Sequence, residues 1–257
     1  MVRPTPNDGC VWITGASSGI GRALAERMAR AGWTVAISAR RGEELEAIAR
    51  NHGGRMHSYP LDVTDREAVR ETVGRIEAEQ GGIALAVLNA GTHQPMRAKD
   101  FSAETVRKLI DLNVLSVAEC LEALLPGMRQ RGRGRIAVVA SVAGYRGLPS
   151  ASAYGASKAA LINMAESLRP ELEEEGIVLQ LVNPGFVRTP LTDRNRFRMP
   201  MLMDVNDAAE ALYKGLRSGR FEIVFPRLFC WFMKLFRAMP YVFALPLMRR
   251  MIPRGKV

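Results

Sequence analysis

The chain has 257 residues, of which 47% are hydrophobic and 24% charged, and it carries a formal net charge of +10. This composition is typical of a globular protein, it excludes a disordered chain, and the length suits one α/β domain. The charge is uneven, because eight lysines and arginines but only one acid, Glu222, follow from Arg220 onward. A basic groove over the whole surface is not expected, so we predict no nucleic-acid partner but a local anionic partner for the C-terminal segment.

Cysteine and histidine positions match no metal-ligand spacing. Cys10, Cys120 and Cys230 are far apart in apolar surroundings, which predicts reduced, buried thiols in a cytoplasmic protein. The polar N-terminus does not resemble a signal peptide. We expect no metal site and ordinary loop or surface positions for the three histidines, His52, His57 and His93.

The first strand is predicted at residues 10–13 and leads into a glycine-rich turn containing Gly15, Gly19 and Gly21. A helical pattern then runs to about Gly32. This order aims backbone N–H groups and a helix N-terminus at a pyrophosphate, and a Cβ in the turn would obstruct the phosphate. The pattern therefore indicates a dinucleotide site, although its spacing is not the usual G-x-G-x-x-G.

The second predicted strand, residues 34–38, is followed by Arg40 and Arg41. A site for NAD usually has an acid near this strand end, where it binds the ribose 2′-hydroxyl. Two arginines suit a 2′-phosphate instead, which favours NADP, with NAD still possible. The alternative is that both arginines simply lie at a solvated strand end.

Strands and helices continue to alternate along the chain. Residues 56–59 and 85–88 read as further strands, a polar helix covers 65–79, and Asn89, Ala90 and Gly91 follow the second of these strands. Such alternation predicts a Rossmann-type doubly wound parallel sheet between two helical layers. We expect this catalytic domain to span residues 1–226.

Three polar residues further along could perform acid–base chemistry. Ser141 ends an apolar strand, and Tyr154 and Lys158 are four residues apart, so they share one face of a helix. A nearby ammonium favours the charged form of a phenol, so we expect Lys158 to lower the pKa of Tyr154. Taken alone, a Tyr-x3-Lys pair is more often a solvated helix face.

These motifs together closely resemble the short-chain dehydrogenase/reductase family. The resemblance covers about residues 9 to 225 and includes the glycine-rich turn, Asn89-Ala90-Gly91, Asn113, Ser141, Tyr154-x3-Lys158 and Pro184-Gly185-x3-Thr189. It implies that Tyr154 exchanges a proton with the substrate oxygen, that Ser141 hydrogen-bonds this oxygen and that Lys158 binds the nicotinamide ribose. Asn113 would hold a water molecule that relays protons to Lys158.

The resemblance also implies a set of cofactor-binding residues. Asp62 and Val63 would flank the adenine, Pro184 and Gly185 would border the nicotinamide, and Thr189 would meet its carboxamide. The full implied set is Gly15, Ser17, Ser18, Gly19, Ile20, Gly21, Arg40, Arg41, Asp62, Val63, Asn89, Ala90, Gly91, Tyr154, Lys158, Pro184, Gly185, Val187 and Thr189.

The resemblance also implies that residues 188–205 form a mobile lid over the substrate. Its methionines are adaptable and apolar, and Val142, Ala143, Leu148 and Phe186 are expected near the pocket. We therefore expect a bulky, apolar ketone or alcohol. Three arginines of the lid could pair with an anionic substrate group or be solvated; they are Arg194, Arg196 and Arg198.

Residues 227–257 depart from the family pattern. Two apolar runs separated by Pro240 carry interleaved basic residues, and neither is long enough to span a membrane. One interpretation is a helix lying in a membrane interface. The other is an extension that packs over the substrate pocket or a neighbouring subunit.

Two functions from different classes are consistent with these patterns. The first is an NADPH-linked carbonyl reductase, or the reverse alcohol dehydrogenase, acting on a small-molecule substrate. The second is a non-catalytic dinucleotide-binding sensor or scaffold held at a membrane. Proteins that the sequence resembles usually assemble through the helices at 105–125 and 159–172, so we expect a homodimer or homotetramer.

Overall fold

The computed structural model describes residues 4–194 and 199–252, except for the side chain of Arg194. Its sheet is parallel throughout, with the strand order β3-β2-β1-β4-β5-β6-β7. The Rossmann-type fold predicted from the sequence is thus confirmed. The strands are β1 (Cys10–Thr14), β2 (Val35–Ser38), β3 (Met56–Ser58), β4 (Ile83–Leu88), β5 (Gly134–Val139), β6 (Ile177–Pro184) and β7 (Glu222–Phe225).

Helices cover both faces of the sheet. Side chains alternate along a strand, so Trp12 packs into the hydrophobic cluster on one face, and its neighbours Val11 and Ile13 pack into the cluster on the other. The helices are α1 (Gly19–Arg30), α2 (Gly42–Arg50), α3 (Arg66–Gln80), α4 (Ala103–Ile110), α5 (Ser116–Arg131), α6 (Ser152–Glu174), α7 (Val205–Leu216), α8 (Arg227–Ala238) and α9 (Tyr241–Arg250).

The strand order places a switch point beside β1. Strand β1 pairs with β2 on one side and with β4 on the other, and the chain runs outward from β1 to β3 and then from β4 to β7 in the opposite direction. In doubly wound sheets the crevice at the carboxyl ends of such strands receives the ligand. The glycine-rich turn follows β1, and residues 89–91 follow β4, so both lie at this edge.

The three cysteines are free and buried, as predicted. Burial is the largest influence on their thiols and raises the pKa of Cys10, Cys120 and Cys230 to about 12. Thiols held in the protonated form are poor nucleophiles and poor metal ligands. These side chains therefore serve as apolar filling.

Candidate active site

The glycine-rich turn leaves no room for side chains at two positions. A Cβ on Gly15, which has φ +67°, would lie 2.8 Å from the Cα atom of Ala90. A Cβ on Gly21 would lie 2.5 Å from the side-chain nitrogen of Asn89. The turn is therefore packed directly against the end of β4, and α1 begins at Gly19 with its free N–H groups at the edge of the crevice.

Asn89 holds the turn in place. Its side-chain nitrogen donates to the carbonyl oxygens of Thr14 and Gly15, at 3.0 and 3.3 Å, and its backbone N–H donates to the Thr14 hydroxyl. The Thr14 hydroxyl also accepts from the N–H of Ala90 at 3.1 Å. The sequence pattern drew attention to the small size of residues 89–91, whereas the structure shows that the Asn89 amide links two strand ends.

Tyr154 and Lys158 lie in the first turns of α6, as their spacing predicts. Lys158 is only 4% exposed, and its Nζ donates to the carbonyl oxygen of Val139 at 2.8 Å. The loop after Ser141 approaches α6 closely, since a Cβ on Gly144 would lie 2.7 Å from the carbonyl carbon of Lys158. The strand end and the helix therefore bring Ser141, Tyr154 and Lys158 to one place.

The pKa values in this cluster differ from the sequence-based expectation. Burial raises the pKa of Tyr154, although a hydrogen bond with Ser141 acts in the opposite direction. Burial also lowers the pKa of Lys158 from its ordinary value of 10.5 to about 8. The predicted lowering of the Tyr154 pKa is therefore wrong, because the cost of removing the phenolate from water outweighs the hydrogen bond with Ser141.

Asn113 is fully buried within one turn of π-helix, residues Asp111–Leu115, between α4 and α5. Its oxygen accepts from the N–H of Thr92 at 2.8 Å, and its nitrogen donates to the carbonyl of Thr92 and to the hydroxyl of Ser157, at 3.0 and 2.9 Å. Single π-turns inside helices are frequent at functional sites. Asn113 thereby joins the segment after β4 to α6, next to Lys158.

One cleft collects many of the residues that the sequence singled out. Its lining includes Ser141, Tyr154 and Lys158 together with the segments that follow β4 and β6. The predicted cofactor residues in this lining are Ile20, Asn89, Gly91, Tyr154, Lys158, Pro184, Gly185, Val187 and Thr189. The remaining predicted residues lie outside this lining; they are Gly15, Ser17, Ser18, Gly19, Gly21, Arg40, Arg41, Asp62, Val63, Ala90 and Asn113.

The residues after β2 and β3 form a polar, exposed group. Arg40 and Arg41 are exposed, and Arg41 donates to the hydroxyl of Ser17 at 3.0 Å. Asp62 accepts two hydrogen bonds from Thr64. Burial acts to raise the pKa of Asp62, but these hydrogen bonds and the charge of Arg40 outweigh it and lower that pKa. Val63, in contrast, is buried in the core.

Some residues at the cleft were missed or misjudged from the sequence. Thr92, Leu191 and Thr192 contribute to the lining, and the ring of His93 packs edge-on against Tyr154 with centroids 4.6 Å apart. His93 lies in a loop, as expected, but its contact with Tyr154 was not predicted. No local pattern marks it, because this contact arises only when the segment after β4 folds over α6.

The expected substrate residues have varied positions. Val142 is buried in the core, and the Phe186 ring packs against that of Phe229, with centroids 5.4 Å apart. Leu148 packs against the main core, and Ala143 donates its N–H to the Ser141 hydroxyl. Of the lid arginines, Arg196, Arg198 and the side chain of Arg194 lie outside the described residues.

Comparison with known proteins places the chain in a family. The family profile described as short chain dehydrogenase matches residues 9–199. The chain belongs to the short-chain dehydrogenase family. The resemblance seen in the motifs is thereby confirmed, and the protein is an oxidoreductase with an NAD(P)-binding Rossmann fold.

Two proteins with similar sequences illustrate how this short-chain dehydrogenase is related to others. An uncharacterized oxidoreductase of Myxococcus xanthus is 43% identical over 217 residues, which cover 83% of this chain and 86% of the relative. The human protein named 17-beta-hydroxysteroid dehydrogenase 13 is 30% identical over 236 residues, covering 90% of this chain and 79% of its own.

Solved structures share the fold over most of their length. A short-chain dehydrogenase/reductase of Burkholderia phymatum, solved in complex with NAD, has a TM-score of 0.82 at 23% identity and is covered to 99%, as is this chain. The structure titled ElxO with NADP bound has a TM-score of 0.77 at 26% identity, covering 86% of this chain and 99% of its own. Related folds therefore bind both dinucleotides.

Proposed function

We propose that this short-chain dehydrogenase transfers a hydride between NADP(H) and the carbonyl or secondary alcohol group of a bulky, apolar small molecule. The observation that carries the proposal is the cleft that Ser141, Tyr154 and Lys158 line together with Pro184 and Gly185. The Tyr154 hydroxyl can exchange a proton with the oxygen atom of a carbonyl or alcohol group, and the Ser141 hydroxyl can form a hydrogen bond with the same atom. A nicotinamide supplies the hydride when it is bound.

The described residues fit a dinucleotide. The close approaches at Gly15 and Gly21 keep the turn free of side chains where α1 begins, which is the arrangement that receives a pyrophosphate. Gly19 packs closely against Thr189, since a Cβ on Gly19 would lie 3.2 Å from the Thr189 methyl group. Gly15, Gly19 and Gly21 would then hold the phosphates and Thr189 the nicotinamide end.

Tyr154 acts as the general acid in carbonyl reduction. Its hydroxyl gives a proton to the substrate oxygen, and in alcohol oxidation it accepts that proton as a phenolate. The raised pKa of Tyr154 means that its hydroxyl carries the proton at neutral pH, which a proton donor needs before the transfer. Ser141 orients the same oxygen through a hydrogen bond.

Lys158 and Asn113 support the proton transfer. A lysine with a pKa of about 8 exchanges protons near neutral pH, so it can resupply Tyr154. Asn113 positions the neighbouring segments through Thr92 and Ser157. A water molecule held beside it would connect Lys158 to the solvent, as the family resemblance implies.

The preference for NADP rests on Arg40 and Arg41. Two exposed guanidinium groups at the end of β2 offer charge-assisted hydrogen bonds to a 2′-phosphate. Arg41 already contacts Ser17 in the glycine-rich turn, which places its charge beside the expected phosphate path. Asp62 and Val63 would flank the adenine.

The apolar substrate class rests on the cleft and on one relative. The cleft lining includes Val139, Val187 and Leu191, and the human relative is named for a hydroxysteroid. A flat or extended apolar molecule with a ketone or hydroxyl group matches both. We expect the protein to be a cytoplasmic homodimer or homotetramer that assembles through the helical segments at 105–125 and 159–172.

The test measures NADPH and NADH consumption with ketones of increasing apolar size. We expect faster turnover with NADPH and with larger ketones. Tyr154→Phe should lower turnover by about 10²–10⁴-fold, because it removes the exchangeable proton and leaves the ring contact with His93 intact. NADPH binding, followed by fluorescence titration, should be retained.

Two outcomes would contradict the proposal. Activity of the Phe variant above about a tenth of the wild type would exclude Tyr154 as the acid. Tight NADPH binding without turnover of any ketone or alcohol would favour a sensor. Arg41→Ala should weaken NADPH binding more than NADH binding, and equal losses would remove the assigned preference.

A further inference from the structure

Helix α8 has two apolar faces. The inner face packs against the body of the protein and buries Cys230, Met233 and Phe236. The opposite face presents Leu228, Trp231, Phe232 and Leu235, at spacing i, i+3, i+4, i+7, and these four side chains are 58%, 71%, 56% and 68% exposed. A helix on the surface of a soluble protein ordinarily has polar residues on that face.

Helix α9, which follows α8 after Pro240, also exposes apolar side chains. Ala244 is its buried residue, whereas Tyr241, Val242 and Phe243 are 73%, 70% and 65% exposed. Scattered apolar residues are normal on a protein surface, but this many exposed apolar side chains on two consecutive helices indicate an interaction site. We refer to the outward apolar side chains of both helices as the outer face; they are Leu228, Trp231, Phe232, Leu235, Tyr241, Val242, Phe243, Leu245 and Leu247.

The segment that carries the outer face has charges of one sign after Glu222. The sequence contains no Asp or Glu after Glu222, and Lys234 is paired with that residue. The remaining described cations of this segment are Arg227, Arg237, Arg249 and Arg250. Two of them, Arg249 and Arg250, end α9, where positive charge also suits the helix dipole.

Contacts with the body hold the two helices in place. Arg146 donates to the carbonyl oxygens of Arg237 and Met239, at 2.9 and 2.7 Å, and so binds the C-terminal end of α8. Its guanidinium also lies 4.7 Å from the centre of the Tyr241 ring. The outer face is therefore presented by a fixed structure and not by a loose tail.

We propose that the outer face docks this protein on the surface of an anionic lipid bilayer. Aromatic and aliphatic side chains would enter the boundary between headgroups and acyl chains, and the arginines would bind lipid phosphates. Within the described residues no helix has the length and apolar character needed to cross a bilayer. The attachment that we propose is peripheral.

A lipid surface suits this face better than a second copy of the chain. In a two-fold dimer the same patch occurs on both subunits, so the arginines of one copy would approach those of the other with no acid in the segment to balance them. An anionic bilayer supplies both the apolar medium and the opposite charge. The charge pattern thus decides between the two occupants.

The position of α8 connects this surface to the cleft. Phe229 contacts Gly185, since a Cβ on that glycine would lie 2.8 Å from the ring, and it packs on Phe186. Gly185 lines the cleft. The helix that would lie on the membrane therefore also backs the wall of the candidate active site, so lipid-dissolved molecules would meet the protein close to its cleft.

The test is flotation of the full chain with vesicles of phosphatidylcholine, alone or mixed with phosphatidylglycerol. We expect flotation with the mixed vesicles that weakens as salt is raised, because screening reduces the attraction of the arginines. The double variant Trp231→Asp, Leu235→Asp should reduce the bound fraction at least about ten-fold. Deleting residues 227–257 is a poorer test, because it also removes the buried inner face.

Phe101→Asp is the matched control, because Phe101 is 62% exposed and lies outside α8 and α9. It should float like the wild type, and NADPH binding should be equal in all three proteins. Absence of wild-type flotation, or equal flotation of the double variant, would overturn the proposal. Wild-type dimers that the double variant converts to monomers, without vesicle binding, would identify the occupant as a second copy.

Discussion

Helices α6 and α8 both depart from the usual burial of apolar side chains and exposure of polar ones. Helix α6 does so by burying polar residues, and α8 does so by exposing apolar residues. Helix α6 buries a lysine and a serine, Lys158 and Ser157, whereas α8 exposes Trp231 and Leu235. A buried ammonium costs free energy unless hydrogen bonds offset it, and an exposed apolar stripe gives up the gain that burial would bring. Each helix therefore carries a cost to stability that points to a function.

The two costs are met differently. In α6, the Lys158 ammonium donates to the carbonyl of Val139, and Ser157 bonds the carbonyl of Tyr154 and the amide of Asn113. In α8, the inner face compensates, since Met233 and Phe236 are buried against the body. In both helices, the unfavourable side chains are tolerated because other contacts of the same helix hold it in place.

The largest effect on stability is expected from the two faces of α8. Met233→Ala should lower the free energy of unfolding by about 2–4 kcal/mol, because it leaves a cavity under the helix. Trp231→Ala should change it by less than about 0.5 kcal/mol, since the indole is exposed. Chemical denaturation measures both, and similar losses would show that the outer face is packed against the body.

An intermediate effect is expected from Lys158. Because its folded pKa lies near 8 and its ordinary value is 10.5, the unfolded chain binds more protons between these values, and stability rises with pH in that window. Relative to Lys158→Met, the wild type should gain up to about 1.4 kcal/mol for each pH unit from pH 8 to pH 10. A flat difference between the two denaturation series would contradict the burial of the charge.

The smallest effect is expected from Glu222, which connects α8 to the sheet. Burial acts to raise its pKa, but hydrogen bonds from Lys234, Tyr145 and Asn183 outweigh burial and lower it below 4.5. The carboxylate therefore stabilises the fold above that value, and its contribution is lost as the pH falls through the folded pKa.

Glu222→Gln should thus lower the free energy of unfolding by about 1–2 kcal/mol at neutral pH, and the difference from the wild type should shrink in acid. Glu104→Gln, which alters an exposed ion pair of α4, is the control and should have little effect. If the two substitutions behave alike, Glu222 does not hold α8 to the sheet.

Local patterns in the sequence were sufficient for the fold and for the family. The strands alternate with helices at regular spacing, the glycines 15, 19 and 21 follow a strand, and Tyr154 and Lys158 are one helical turn apart. Each of these patterns depends on neighbours within a few residues, where backbone geometry fixes what can form. The NADP preference, the substrate and the roles of individual site residues stay predictions.

Three properties required the tertiary structure, because they depend on contacts between distant segments. The pKa values of Tyr154 and Lys158 follow from how much water the surrounding elements exclude, which spacing along α6 does not show. The contact of His93 with Tyr154 joins the segment after β4 to α6.

The third property is the orientation of α8. From residue 227 onward the sequence determined an apolar, basic segment, but its apolar residues surround the helix, so periodicity alone could not tell which would be buried. Packing against Asn183, Glu222 and Phe186 selected one face. The composition was thus set by the sequence and the exposed surface by the fold, because burial is decided by what a helix meets and not by its own periodicity.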